Sequence, residues 1–600
     1  MRKKTFFIVL IIFIGYSCKK EDLKKIPGWE NTRNYYLEAI TDAISYADSL
    51  KAEGVKGKNA KKMFKKLRTA FKKSEPYASY LNPEVGHRVN GPALPVFKED
   101  NQKVLAPVGL QKIEESIYEG GVSDTDFRYE VDITRGMLEV LKKDMEKRAL
   151  NPQRFFVATH QQLFRIISFS TSGFDTPVSY LSMDEIEVSL DALRETYNRS
   201  IRDIVREKDD TLNKRFLEAL ERAENYASSH PDFETFDRFT FIRDYMNPVT
   251  RTWVDIRKTS GIWEASDDFP FNFDAPTFFE EDSFNPAYFT SNTNKNPSRA
   301  QTELGKKLFF EPGLSANGTM ACATCHIPEK AYTDGLVTNT DNKGKPLLRN
   351  TPTLLNVAFQ KSFFWDGRAE DLLSQISSVF TDKDEFNVTV HEFNTDILKD
   401  SAYHEKFKKA FGNVPKNNLN IIKAISSYIS TLNNFDSKFD RNIRGEEATF
   451  TAAEKQGFNL FMGKALCATC HFIPLTNGTV PPFFNDTEKE VIGVPETAGN
   501  NALDDDYGFY WKYNEAIHKG MFKTPTIRNI AETAPYMHNG VYNTLEEVVN
   551  FYNLGGGGGL GFELPHQTLP FDNLDLTDEE QNAIVAFMKT LSGSEDVDKY

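Results

Sequence analysis

The sequence predicts a mainly α chain: one large helical domain, then two tandem copies of a small helical domain. Three observations carry this. Residues 29–258 repeat apolar side chains at three- and four-residue spacing, in stretches such as Thr134–Ala149 and Ser189–Ala227, with few glycines to interrupt them. The pentapeptide Cys-Ala-Thr-Cys-His occurs twice, at 322–326 and 467–471. The same landmarks surround each copy. A helical stretch precedes it (Gln301–Phe310 and Ala452–Lys464), and a Thr-Pro-Thr follows it (351–353 and 524–526). A glycine, Gly367 or Gly540, stands sixteen residues beyond the first of those threonines, and a helix comes next. Equal spacing of three landmarks marks a duplication.

C-x-x-C-H is the attachment signature of c-type haem. Two thiols about a helical turn apart add to the porphyrin vinyl groups, and the adjacent histidine becomes the proximal iron ligand. A redox or zinc C-x-x-C needs no histidine after it. Cys322, Cys325 and His326 therefore bind one haem, and Cys467, Cys470 and His471 a second. They account for four of the five cysteines, which leaves no disulfide framework. The duplicated parts, 299–445 and 446–596, read as cytochrome c-like domains, small helical folds that each wrap one haem.

At 600 residues the chain has room for about three domains. Its 48 phenylalanines suit packing around large flat cofactors. Residues 1–17 join a basic start (Arg2, Lys3, Lys4) to an apolar run from Phe6 to Tyr16, the pattern of an export signal. The run falls short of the roughly 20 apolar residues that span a bilayer. Cys18 after Gly15-Tyr16-Ser17 resembles a bacterial lipobox, so residues 1–17 are expected to be cleaved and Cys18 lipidated. The expected location is the cell envelope, anchored in the outer membrane since Lys19 rather than Asp follows, with 18–28 as a polar tether. Loss of Arg2, Lys3 and Lys4 takes the formal charge from −14 to −17. That argues against nucleic acid and would steer a basic electron donor.

The helical domain, 29–258, is expected to have its own core, with its histidines His87, His160 and His230 scattered. Its segment Pro107–Glu115 is similar to the G-x-H-x-x-E piece of imelysin-like helical domains, with Gln111 where that family has histidine. The domain reads as a docking or spacer unit. Residues 259–298, rich in Phe, Pro and Asn, read as an extended linker whose phenylalanines pack across a domain surface. The run Gly555–Gly559 follows no strand and opens no helix, so it reads as a flexible loop and not a phosphate cradle.

The sixth coordination position of each iron separates an enzyme from an electron relay. After His326 the next histidine is His391, and no methionine lies between Met320 and Met462. The first iron is thus expected to be five-coordinate. A peroxide-splitting iron needs a base above it to move a proton between the two oxygens. Glu385, just after a helix over 371–379, is a candidate, with Gln375 as a neighbouring donor. On composition alone Glu385 is also readable as a surface acid.

The two Cys-Ala-Thr-Cys-His motifs, Asn350–Asn356, Phe364–Ala369 and Ala534–Gly540 resemble the bacterial dihaem cytochrome c peroxidase family, which includes the MauG-type enzymes. The resemblance covers about 300 residues, 299–596. It implies a peroxidatic first haem, an electron-accepting second haem and Trp365 between them, with Gln375 and Glu385 as distal glutamine and catalytic glutamate. It also implies an interdomain calcium held by Asn350 and the carbonyls of Thr533 and Pro535, since oxygen ligands suit that cation. Two features depart from many members. Residues 327–360 hold no histidine to cap the first haem, as in members active without reductive activation. Tyr552 stands fourteen residues beyond His538, where many members have methionine, as in MauG-type proteins. It falls on a helix over 545–554 and reads either as a core tyrosine beside Leu545, Val548 and Val549 or as the axial ligand. Met521 and Met537 are the alternative ligands.

The expected activity is peroxide reduction to water with electrons from a donor cytochrome or cupredoxin, by a protein that is commonly a homodimer in this family. The alternatives are a MauG-like oxidase acting on a protein or small molecule through high-valent iron, and a non-enzymatic electron relay or metal-handling surface lipoprotein.

Overall fold

The computed structural model describes residues 28–98, 103–388, 397, 400–414 and 417–593. The signal, Cys18 and nearly all of the tether lie outside them, as does His391. Among the described residues no helix is long and apolar enough to cross a membrane.

The first part is built from long helices, among them Trp29–Glu53, Ala60–Leu81, Asp124–Lys147, Pro152–Arg165, Ser182–Ser200, Asp210–Ser229 and Asn247–Ser260. Several begin where a side-chain oxygen accepts a first-turn amide that the helix leaves without a partner: Ser123, Asn151 and Asp209 each do so. A short hairpin, Val96–Lys98 paired antiparallel with Lys103–Leu105, interrupts the helices. Inside the bundle lies an ionic network. Arg68 grips Glu185 at 2.6 and 2.7 Å, and Lys72 bridges Glu75 at 3.0 Å and Asp175 at 2.7 Å, all essentially without exposure. Taking charges out of water is costly, and here each is offset by a partner of opposite sign.

The core of this part is not its own, contrary to the sequence-based expectation. One continuous apolar cluster holds Phe156, Phe164 and Trp253, the phenylalanines Phe271, Phe273, Phe278, Phe279 and Phe284, and Phe439, Phe458 and Phe587 from beyond residue 400. The phenylalanines of 259–298 lie inside this shared core and not across a surface. A bridge between Phe271 and Phe284 folds the segment back on itself. Phe278 then meets Phe164 at 4.9 Å, and Phe271 meets Phe484 at 5.5 Å. Burying an aromatic side chain contributes about 1.5–3 kcal/mol, so a strip this rich in phenylalanine is driven inward. Polar contacts lock the same seam: Asp237 binds Lys455 at 2.6 Å and Asn459 at 3.1 Å.

The two later parts show one plan twice. Helix Arg299–Phe309 crosses Leu419–Ile429, and Ala452–Met462 crosses Asp578–Lys589. Each first helix opens with a capping box, Ser298 with Gln301 and Thr451 with Glu454. Each crossing is closed by a glycine. A Cβ on Gly305 would lie 1.8 Å from the Ala424 carbonyl oxygen, and one on Gly457 would lie 1.9 Å from that of Ala583, with Tyr428 and Phe587 as matching neighbours. The glycine run also differs from expectation. Gly556–Gly559 is a helical turn, and the Gly557 backbone packs so close to Gly493 that a Cβ would lie 2.5 Å from the Gly493 oxygen.

Candidate haem-binding and catalytic site

Cys322–Cys325 forms a single helical turn with His326 at its end. A bridge between Ile327 and Thr333 returns the chain, so that the Tyr332 carbonyl lies 3.0 Å from His326 Nδ1. The Thr-Pro-Thr then explains itself. Thr351 and Thr353 donate to Asp334 and to the Ala331 carbonyl, both at 2.6 Å, which turns the Pro352 carbonyl toward the same ring. The second copy repeats this: the carbonyls of Thr476 and Pro525 face His471, without completing a hydrogen bond to its buried Nδ1. Burial lowers the pKa of both rings, that of His471 to about 4, so each imidazole is neutral, the form that ligates metal. The four thiols are unpaired, and burial pushes Cys322, Cys325 and Cys467 up to about 12.

All six motif residues line one cavity of about 860 Å³ that runs through both later parts. Its wall is otherwise largely apolar, with Leu354, Ile376, Phe380, Val549 and Ile584 among the contributors. One cation stands out. Lys523 is 8 % exposed and faces the cavity, and no carboxylate lies within ion-pair distance of its ammonium among the described residues. Burial, then the neighbouring Lys489, lowers it to about 8. Two thiol pairs, two neutral imidazoles, apolar walls and an uncompensated cation fit two covalently held porphyrins, whose bodies are apolar and whose propionates are anionic. The arrangement defines a two-haem c-type cytochrome.

Other candidates fall on the same wall. Gln375 sits on helix Leu372–Thr381, which Asp371 caps by accepting the Ser374 amide at 2.7 Å. Glu385 follows in a turn, its carbonyl held by Asn342 Nδ2 at 2.8 Å. Its carboxyl is not a surface acid. Burial, then Asp382, raises it to about 7, and Arg368 opposes this. Trp365 marks the seam between the two parts: its Nε1 donates to the Asn350 carbonyl at 2.8 Å, and its own carbonyl accepts the Lys523 amide at 2.7 Å. The Asn350 amide in turn donates to the His538 carbonyl at 2.7 Å, and Arg349 ties Asp366 to Asp506, each at 2.6 Å. The equally spaced glycines serve this seam. Both have left-handed φ, +69° and +66°, and each reaches the other part: a Cβ on Gly367 would meet Lys489, and one on Gly540 the Val337 backbone.

The axial candidates separate. From 299–445, the cavity wall holds no histidine, methionine or tyrosine among the described residues except His326 and Met320, which lies two positions before Cys322. From 446–593 it holds, besides His471, the candidates Tyr552 and Met537 together with Tyr536, His538 and Met588, but not Met521. Burial, then the Cys470 and Cys467 sulfurs, raises the Tyr552 phenol, which places it beside the second thiol pair. Asn350, Thr533 and Pro535 line the cavity too, and the Asn350 amide nitrogen is engaged by the Leu336 carbonyl at 2.9 Å. Among the described residues no group of three or more His, Cys, Asp or Glu could hold a metal ion.

Sequence reasoning missed Lys523, Glu490 and the ring of Phe522 stacked on His538 at 3.8 Å. Glu490 accepts from Cys470 Sγ at 3.4 Å. In the sequence it belongs to Asp486-Thr487-Glu488-Lys489-Glu490, a charge run that reads as solvated. The signal was the alternation of a short strand: Lys489–Val491 pairs antiparallel with Met521–Lys523, with Glu490 opposite Phe522.

The family described as di-haem cytochrome c peroxidase matches residues 299–448. Cytochrome-c peroxidase IdrP2 of Pseudomonas sp. (strain SCT) is 33 % identical over 318 residues, covering 49 % of this chain and 82 % of that protein. Methylamine utilization protein MauG of Methylorubrum extorquens is 35 % identical over 289 residues, 48 % of this chain and 77 % of that protein. Cytochrome c551 peroxidase of Nitrosomonas europaea is 33 % identical over 301 residues, 49 % of this chain and 80 % of that protein. The chain belongs to the di-haem cytochrome c peroxidase family, whose members carry two c-type haems.

Proposed function

We propose that this protein reduces hydrogen peroxide to water with electrons from an external donor protein. The observation that supports this most directly is the unequal wall of the cavity: beside Cys322 and Cys325 it offers the Glu385 carboxyl, with a pKa of about 7, and no further histidine, tyrosine or methionine but Met320 among the described residues, whereas beside Cys467 and Cys470 it offers the Tyr552 phenol as well as an acid, Glu490. Cys322, Cys325 and His326 would hold a haem, which would supply an iron able to break the peroxide oxygen–oxygen bond. Glu385 takes the proton from the incoming peroxide and delivers it to the departing oxygen, a task suited to a carboxyl poised near pH 7. Gln375 would orient the incoming peroxide by hydrogen bonding, and Trp365 would join the two haem-binding parts electronically. Asn350 and the carbonyls of Thr533 and Pro535 would hold a calcium ion that steadies the seam. Residues 1–18 would export the chain and anchor it through a lipid on Cys18, at the outer membrane. The test is Glu385→Gln in the haem-loaded protein: peroxide consumption collapses while both haems stay attached. Unchanged consumption would sink the assignment.

A second reading rests on Tyr552. With the phenol as axial ligand, the second haem would favour its oxidised state, and the pair would oxidise a protein or small molecule as MauG-type enzymes do. A long-lived near-infrared band after peroxide favours this reading. Rapid turnover with a reduced cytochrome favours the first.

A further inference from the structure

We propose that Trp511, stacked on Tyr507, is the site where this protein takes electrons from donors too large to enter the haem cavity; the inference rests on the peroxide-reducing reading above. Residues 507–513 carry five aromatic side chains in seven positions, a density that nothing in haem attachment requires. Along the chain they fall between the two paired strands Lys489–Val491 and Met521–Lys523. Of the five tryptophans Trp511 alone is exposed, at 61 %. Its ring lies parallel to that of Tyr507, 5.5 Å between centroids and 14° between planes, with Tyr510 edge-on to both.

The inward side of this pair reaches the cavity in one residue. Gly508, next to Tyr507, packs so tightly that a Cβ would lie 3.1 Å from Phe522 Cζ. The Phe509 amide donates to the Met521 carbonyl at 2.9 Å, and the Gly520 amide to the Tyr507 carbonyl at 3.1 Å. Phe522 lines the cavity and stacks on His538, which lines it as well. On the other flank Asp506, the residue before Tyr507, is clamped by Arg349, also on the wall. Covalent and hydrogen-bonded contacts thus run without a gap from an exposed indole to the haem pocket.

Charge placement directs the traffic. The Lys519 ammonium sits 4.4 Å over the Tyr507 ring, and Lys512 lies over Phe509 and Tyr513. A cation is attracted to the electron-rich face of an aromatic ring. Withdrawing an electron from that ring removes the attraction, so an electron deficit is driven from Tyr507 to Trp511, in water. The balance is simple. One hydrogen peroxide takes up two electrons and two protons to give two waters. In each one-electron step Trp511 passes an electron inward and its indole proton to solvent; a donor then returns an electron, and a proton from solvent restores the indole. Two one-electron donors are oxidised per peroxide.

The experiment uses the haem-loaded protein and Trp511→Phe, which keeps a flat apolar ring for docking but is much harder to oxidise. After peroxide addition with a nitroso spin trap, peptide mass spectrometry should find the adduct on Trp511 in the wild type and lose it in the variant. Oxidation of a reduced soluble cytochrome c should fall about tenfold or more, while consumption of peroxide with ascorbate as donor stays unchanged. Peroxide consumption with no adduct at 511 and full cytochrome oxidation by Trp511→Phe would overturn the proposal. So would cytochrome oxidation retained in Trp511→Phe but lost in Trp511→Ala, which makes the ring a docking contact only. If the wild type with both haems attached consumes no peroxide, the peroxide-reducing reading fails and this inference fails with it.

Discussion

The two haem-binding parts share everything that grips a porphyrin and differ in what faces it. Gly305 and Gly457 close equivalent helix crossings, Pro352 and Pro525 turn carbonyls to His326 and His471 respectively, and Gly367 and Gly540 reach across the seam in opposite directions. Opposite these shared features, one wall carries Gln375 and Glu385 and the other Tyr552, Met537 and Glu490. Their settings differ as well. The first part has an apolar core of its own from Leu304 to Leu432 and sends Phe359 and Phe439 into the core of the large helical part; the second has a smaller core with Tyr536, Val549 and Ile584 and sends Phe458, Phe461, Phe484 and Phe587 into that shared core. Duplication kept the attachment chemistry, because thiol spacing and imidazole orientation tolerate little change. The facing walls were free to diverge.

The comparison breaks most visibly at Glu385. Glu385→Gln should slow peroxide consumption about 10²- to 10⁴-fold in stopped-flow mixing, with both haem absorption bands retained. Tyr552→Phe, by contrast, should leave the first peroxide step near wild type. The pH profile sharpens the same point. The base form of Glu385 dominates above about pH 7, so the reaction should slow about tenfold per unit below it. The sign for stability is opposite. A carboxyl raised from 4.5 to about 7 contributes stability below pH 4.5 that is lost as pH rises through 7. Glu385→Gln should therefore melt above the wild type at pH 8 and level with it at pH 4.

On the second side, Tyr552→Met should raise that haem's potential by on the order of 0.1 V in a spectroelectrochemical titration, leaving the first haem unmoved. The smallest effects belong to the shared frame. Gly305→Ala and Gly457→Ala each force a methyl onto a carbonyl and should cost about 1–3 kcal/mol in denaturant unfolding. Gly457→Ala should cost more, because Phe458 and Phe461 beside it belong to the larger core.

Much of the site was legible residue by residue. Cys322-x-x-Cys325-His326 and its copy are local, and local covalent chemistry reads directly from spacing. Gln375 and Glu385 were readable only through likeness to relatives, since a single acid in a loop looks solvated until its surroundings are known. The phenylalanines of 259–298 were recognised as packing residues but assigned to a surface, because one strand of sequence does not say how many partners cover it. Lys523 and Glu490 were missed altogether: each is polar in a short strand, and the apolar wall around it comes from segments far along the chain.

By itself the sequence determined the two attachment motifs, their duplication and the helical character of the whole, because these depend on short-range spacing and on periodicity. Only the tertiary structure decided that both motifs open into one cavity, that a buried lysine faces it, and that the large helical part shares its core with the second haem-binding part. Those facts require residues such as Phe164, Phe271 and Phe484 to meet, and such meetings follow from packing shape and not from any pattern within one segment.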